Sequence, residues 1–131
     1  MYQFDFFIEN EKSYIWTLPA LYEIGGKSYE ISQWVDLIDE MCVRLKRKDP
    51  ELFNSFLEDE KHRKNRIAYL SDKQENIHFI KKLDKSNLYL NQKIDAPRSV
   101  KLLRKLLDKY KMKDFTLYVI DNPTRVKQNK K

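Results

Sequence analysis

One cysteine, two glycines, two histidines and four prolines are few for a chain of 131 residues, and each shortage excludes something. The lone Cys42 rules out an intramolecular disulfide and fits a reducing cytoplasm. It falls inside an amphipathic helical pattern, where a small buried apolar residue is expected, and no base lies near it in sequence to activate its thiol. A zinc site needs three or four ligands, and His62 and His78 lie apart, one in a basic run and one in an apolar run. Both glycines, Gly25 and Gly26, are adjacent and suit one tight turn, so no glycine loop is left to cradle a phosphate. No cofactor is expected. No run of about 18 apolar residues is present to span a membrane. Met1–Asn10 is acidic and lacks the basic start and apolar middle of a signal peptide, so a cytoplasmic protein with no membrane partner is expected. Glu58-Asp59-Glu60-Lys61 has the residue types of a magnesium-dependent nuclease site. Such sites present their acids from neighbouring strands, whereas this cluster falls at a helix end and reads as a solvated terminus. A non-catalytic protein follows.

Apolar residues make up 41% of the chain, and eight Tyr, seven Phe and two Trp stand against 35% charged residues. Disordered chains are poor in aromatics, so the expectation is a folded domain with a charged exterior. The length suits one domain, expected over residues 1–123, with 124–131 a basic tail.

Tyr2, Phe4, Phe6 and Ile8 alternate with polar residues, the two-residue period of a strand. Leu21–Ile24 and Lys27–Ile31 flank the glycine pair and predict a hairpin. Ser32 is the expected N-cap of a helix with Trp34, Leu37, Ile38, Met41 and Leu45 on one side. Asp49-Pro50 starts a second helix, with Leu52, Phe53, Phe56 and Leu57 apolar. Arg66–Leu70, Ile77–Lys82, Leu88–Gln92 and Phe115–Ile120 read as strands, and Asp95 caps a third helix over Ala96–Lys111. The fold class predicted is α+β, a mainly antiparallel sheet with about three helices packed on it.

Charge is distributed unevenly along the chain. Residues 1–40 carry a net −6 and residues 41–131 a net +12. On the third helix, Val100, Leu103, Leu106, Leu107 and Tyr110 share one arc, with Leu102 at its edge. Arg98, Lys101, Lys105 and Lys109 share another arc about 80° wide. Like charges at these spacings repel by a few tenths of a kcal/mol per pair, so the stripe reads as an anion-binding face or as an ordinary solvated one. Lys61, Arg63, Lys64 and Arg66 form a second basic group. Exposed Tyr69, Phe79 or Tyr89 could stack on bases, but each sits in a strand-like run where a core position is expected.

Several local patterns carry a resemblance. They are a tryptophan-bearing helix entered from a short strand (Tyr29–Leu45), the helix start Lys48-Asp49-Pro50-Glu51, and the run Arg66-Ile67-Ala68-Tyr69-Leu70-Ser71. The last is the strand Leu88-Tyr89-Leu90 leading to Asp95-Ala96 and the helix Val100–Leu107. Over residues 29–120 the chain resembles a small bacterial domain that occurs alone or appended in restriction- and defence-associated proteins. Where that domain usually has Thr-Asn-Leu-Ser-Ala-Asn before the helix, this chain has Gln92-Lys93-Ile94-Asp95-Ala96-Pro97. The likeness implies no defined activity. It implies a setting in bacterial or phage conflict, near nucleic acid and its enzymes.

Two functions are therefore expected in competition. One is a binding protein that holds nucleic acid or a nucleic-acid-processing protein through its basic face. The other is a phage or mobile-element inhibitor, of anti-CRISPR or anti-restriction type. In that reading Asp5, Glu9, Glu11, Glu23 and Glu30 imitate phosphates on a host nuclease, with aromatic side chains as anchors. An open sheet edge would also permit a homodimer.

Overall fold

The structure, a computed structural model, describes residues 1–61, 69–77 and 79–123. The chain order is β1 (Tyr2–Gln3), β2 (Thr17–Ile24), β3 (Lys27–Glu30), α1 (Trp34–Lys48), α2 (Pro50–Lys61), β4 (Leu70–Ser71), β5 (Ile80–Lys82), β6 (Tyr89–Asn91), α3 (Ala96–Lys109) and β7 (Phe115–Asp121). The class is α+β, and the strands pair antiparallel in two sheets, β1-β7-β2-β3 and β4-β6-β5. The chain forms two compact units, residues 1–37 with 95–131, and residues 38–94.

The first unit is built on the larger sheet. Gly25 and Gly26 adopt φ values of 60° and 75°, so the hairpin between β2 and β3 has the left-handed backbone that the glycine pair predicts. The β2–β7 register shifts between Pro19 and Leu21. This bulge falls beside a residue that has no N–H to give to the ladder. The expected strand Tyr2–Ile8 ends at Gln3. Asp5 breaks it: its Oδ1 accepts the Phe7 N–H at 3.1 Å and its carbonyl accepts the Glu9 N–H at 2.9 Å, turning the chain. Phe6 is thereby buried, while Ile8 is 80% exposed. The core gathers edge-to-face aromatic pairs, Phe6 with Phe115 at 4.8 Å and Tyr14 with Trp34 at 6.1 Å between centroids. The Trp34 indole N–H donates to the Thr17 carbonyl at 2.9 Å.

α3 packs through Val100, Leu102, Leu103, Leu106 and Leu107, all buried. Each such side chain contributes about 1.5–3 kcal/mol. Leu102 is inside the buried arc and not at its edge, and Tyr110 is half-buried. Asp95 caps the helix as expected, its Oδ1 accepting the Arg98 N–H at 2.9 Å. The helix ends at Lys109, before the expected Lys111. Lys111 takes φ 55°, and the N–H groups of Lys111 and Met112 bond back to the carbonyls of Asp108 and Leu107. This is the left-handed termination that glycine usually supplies.

In the second unit α1 buries Ile38, Met41, Cys42 and Leu45, and α2 buries Phe53, Phe56 and Leu57. The first helix starts at Trp34, later than an N-cap at Ser32 would set it, and the Gln33 carbonyl accepts the Leu37 N–H. Asp49 caps α2 through the Leu52 N–H at 3.1 Å. Asp39 is buried. It accepts the backbone N–H groups of Lys85 and Ser86 at 3.0 and 2.9 Å and so pins the turn between β5 and β6. Two expected strands are shorter. Ile77–Lys82 contracts to β5, because a 3-10 turn at Gln74–Asn76 precedes it. Arg66–Leu70 is represented by β4, and residues 62–68 lie outside the described residues.

Candidate nucleic-acid interface

The expected cationic stripe of α3 exists, but its members differ. Arg98 is exposed and forms an ion pair with its own N-cap, 2.8 Å from Asp95 Oδ2. Lys101 is exposed, whereas Lys105 and Lys109 are half-buried. Lys109 lies eleven positions after Arg98, about 16 Å along the helix, enough to face several phosphates. Lys61 ends α2, exposed, in the other unit. Arg63, Lys64 and Arg66 lie outside the described residues, as do His62 and His78.

Arg104 is the cation that the helical reading passed over. Its guanidinium donates to the carbonyls of Phe6 and Glu9, lies 3.7 Å from Glu11 Oε1 and sits 5.6 Å from the centre of the Phe6 ring. The sequence did hold a sign of this. At 100° per residue Arg104 falls beside the Val100–Leu107 arc, away from the lysine stripe. A long cation in that position fastens a neighbouring segment instead of meeting solvent.

That fastening engages one carboxylate of the proposed acidic mimic, and local contacts engage others. Asp5 holds a turn, Glu9 Oε2 accepts the Ser13 hydroxyl at 2.9 Å, and Glu11 pairs with Arg104. Glu23 accepts the Tyr118 hydroxyl, which holds that phenol's pKa above its usual value. Glu30 is exposed on β3. Four of the five carboxylates thus have partners inside their own unit.

The second sheet presents a different surface. Opposed residues share a face, so Leu70, Leu90 and Lys81 lie on one side, with both leucines buried, while Ser71, Tyr89, Asn91, Ile80 and Lys82 lie on the other, which is covered at Ser71 and open toward β5. β5 is an edge strand, exposed along its length. Phe79, expected in the core, is 54% exposed, and Ile80 is 44% exposed. The cause is local. Phe79 adopts φ 51°, and its carbonyl accepts the Gln92 N–H at 2.8 Å, which turns the ring out just before the strand begins. Lys93 Nζ lies 3.8 Å from the Phe79 ring centre, and Lys82 Nζ lies 5.8 Å from that of Tyr89. Tyr69 and Tyr89 are half-buried.

Cys42 is fully buried, and burial, with Asp39 adding to it, pushes its thiol well above the ordinary range. Glu60 is buried, not solvated, because it falls on the same side of α2 as Phe53, Phe56 and Leu57. Among the described residues no group of three or more His, Cys, Asp or Glu could hold a metal ion, and no helix is long and apolar enough to cross a membrane. A cavity of about 480 Å³ in the first unit is lined by Phe4, Asp5, Phe6, Phe7, Lys113 and Phe115 among others. No family model, curated protein or solved structure was found to match the chain.

Proposed function

We propose that this is a non-catalytic protein of bacterial or phage conflict systems that binds nucleic acid, or a nucleoprotein, through basic groups. One observation carries the reading. Residues 62–68 and 124–131 hold seven basic side chains and no acid, against a net +6 for the whole chain. All of the chain's excess charge therefore belongs to two short runs. A merely solubilising surface intersperses its signs, whereas acid-free basic runs favour a polyanion. Arg98, Lys101, Lys105 and Lys109 extend the set on α3, and Lys61, Arg63, Lys64 and Arg66 supply the second group. The conflict setting rests on the resemblance over residues 29–120 alone. The inhibitor reading is less favoured, because Asp5, Glu9 and Glu11 are engaged in their own loop and with Arg104.

The test is affinity for labelled single- and double-stranded DNA and RNA across a salt series. If each α3 cation neutralises one phosphate, the slope of log affinity against log salt becomes shallower by about 0.9 per residue on duplex DNA when it is replaced. A variant with Lys101, Lys105 and Lys109 changed to Glu should bind more weakly at every salt concentration. No binding at low salt would remove the nucleic-acid reading and return attention to a protein target.

A further inference from the structure

We infer that the outer face of the β4-β6-β5 sheet is a base-stacking platform for single-stranded nucleic acid, with Phe79 and Tyr89 receiving bases and Lys82 and Lys93 meeting phosphates. The inference rests on the nucleic-acid reading above and assigns it a surface and a substrate class.

Register places Tyr89, Ile80 and Lys82 on this face, and Phe79 and Lys93 adjoin it just outside β5 and β6; three observations support the assignment. The first is the exposed ring. Phe79 is more than half exposed at a positive φ, a backbone region that few non-glycine residues enter and that bulky ones enter at a cost. A left-handed residue that turns an aromatic ring outward is an expense the core does not require. Strained positions of this kind gather at functional sites.

The second is charge. Phe79–Leu83 and Leu88–Ile94 contain three lysines and not one acid; Lys82 lies on this face, Lys93 follows β6, and Lys81 lies on the opposite face. None of the three lysines has an ion-pair partner among the described residues. In a chain whose charge outside residues 62–68 and 124–131 is balanced, this is a local excess, and it complements a phosphate chain.

The third is arrangement. Two of these lysines already lie near aromatic rings, Lys93 near Phe79 and Lys82 near Tyr89. Single-strand binders combine these groups: bases have a π-face that any aromatic ring can stack on, and the backbone follows the cations. Lysines on an edge strand also discourage strand addition. That duty accounts for Lys81 and Lys82, but it does not account for an exposed Phe79 and Ile80 just before them. A duplex buries its base faces, so stacking on Phe79 selects unpaired bases.

The experiment uses the full chain and fluorescein-labelled single-stranded DNA and RNA, with the matching duplexes as comparison. Phe79→Ala should weaken single-strand binding about 5- to 150-fold and leave the salt slope unchanged, since it removes no cation. Phe79→Trp should restore binding. Lys82→Glu should weaken binding more than Lys81→Glu, which makes the same charge change on the opposite face. Unfolding curves of each variant check that the sheet survives, and Phe79→Trp keeps the test decisive if the alanine variant is unstable. Salt-dependent duplex binding that Phe79→Ala leaves intact, with no preference for single strands, would overturn the platform while the nucleic-acid reading stands. No binding to any nucleic acid would overturn both. Concentration-dependent dimerisation abolished by Ile80→Glu would show that the β5 edge pairs with a second copy, and would likewise overturn the platform.

Discussion

Asp39→Ala should be among the more damaging single substitutions in the second unit, and its cost can be reasoned from the structure. The side chain is 6% exposed, and its two oxygens accept the backbone N–H groups of Lys85 and Ser86 at 3.0 and 2.9 Å. A hydrogen bond to a charged group contributes about 1.5–3 kcal/mol. Alanine removes both acceptors at once. Ser86 is buried, so its N–H is left without a partner, whereas the exposed Lys85 can regain a bond from water. The expected loss is therefore about 2–4 kcal/mol rather than the full sum. Asp39→Asn keeps one carbonyl oxygen but turns an amide donor toward the second N–H, so it should recover only part of that loss. Urea unfolding gives the stability change, and amide exchange at Lys85 and Ser86 shows where it arises. The same turn joins β5 to β6, so the alanine variant should also lose single-strand binding in proportion to the disorder it causes there. A loss below about 0.5 kcal/mol, the size of an ordinary surface change, with both amides still protected, would refute the reasoning.

Other outcomes follow from the same kind of accounting. Arg104→Met should cost about 2–3 kcal/mol, because the Phe6 and Glu9 carbonyls lose their donor, and Arg104→Lys should restore less than the whole; thermal unfolding reads both. Lys111→Gly should stabilise the protein by about 1 kcal/mol, since Lys111 holds φ 55° with a Cβ, and the urea midpoint should rise. The Tyr14 hydroxyl is buried with no hydrogen-bond partner among the described residues, so Tyr14→Phe at neutral pH should be neutral or stabilising in a melt. Burial pushes the Tyr14 pKa up to about 12, with Glu9 and Asp5 adding to the rise and Arg104 opposing it, and burial with the Asp121 hydrogen bond pushes Tyr2 up to about 12. The folded state then holds these protons longer than the unfolded state does. Their contribution is intact below about pH 10 and is lost as pH rises toward 12. Phenolate absorbance followed beside unfolding should show the two together, and Tyr14→Phe should flatten the decline.

Much of the local structure was legible because it depends on neighbours in the chain. The glycine pair makes a hairpin wherever it is placed. Asp49-Pro50 and Asp95 cap helices through bonds that reach three residues ahead. The periodicity of α1 and α3 placed Trp34, Leu37, Met41, Val100 and Leu106 inside correctly. Failures came where a short-range turn broke a pattern. Asp5 interrupts an alternating run that would otherwise be a strand, and the positive φ at Phe79 turns out a ring that alternation places in the core.

The candidate sites divide along the same line. The stripe from Arg98 to Lys109 follows from helical period alone, and so was visible in sequence. The Arg98–Asp95 pair and the contacts of the Asp5 and Glu9 carboxylates are local, but that Arg104 clasps the Phe6–Glu9 segment and pairs with Glu11 depends on residues separated by up to 98 positions, which no local pattern encodes. The charge asymmetry is the clearest instance. Along the chain the first 40 residues are −6 and the remainder +12. The fold brings the acidic N-terminal segment and α3 into one compact unit, where part of that opposition becomes internal pairing. The sequence by itself determined the caps, the turn, the helix faces and the α+β class, because those follow from backbone preferences and periodicity. Only the tertiary structure decided which charges are paired and which rings face water, because those follow from what distant segments place beside them.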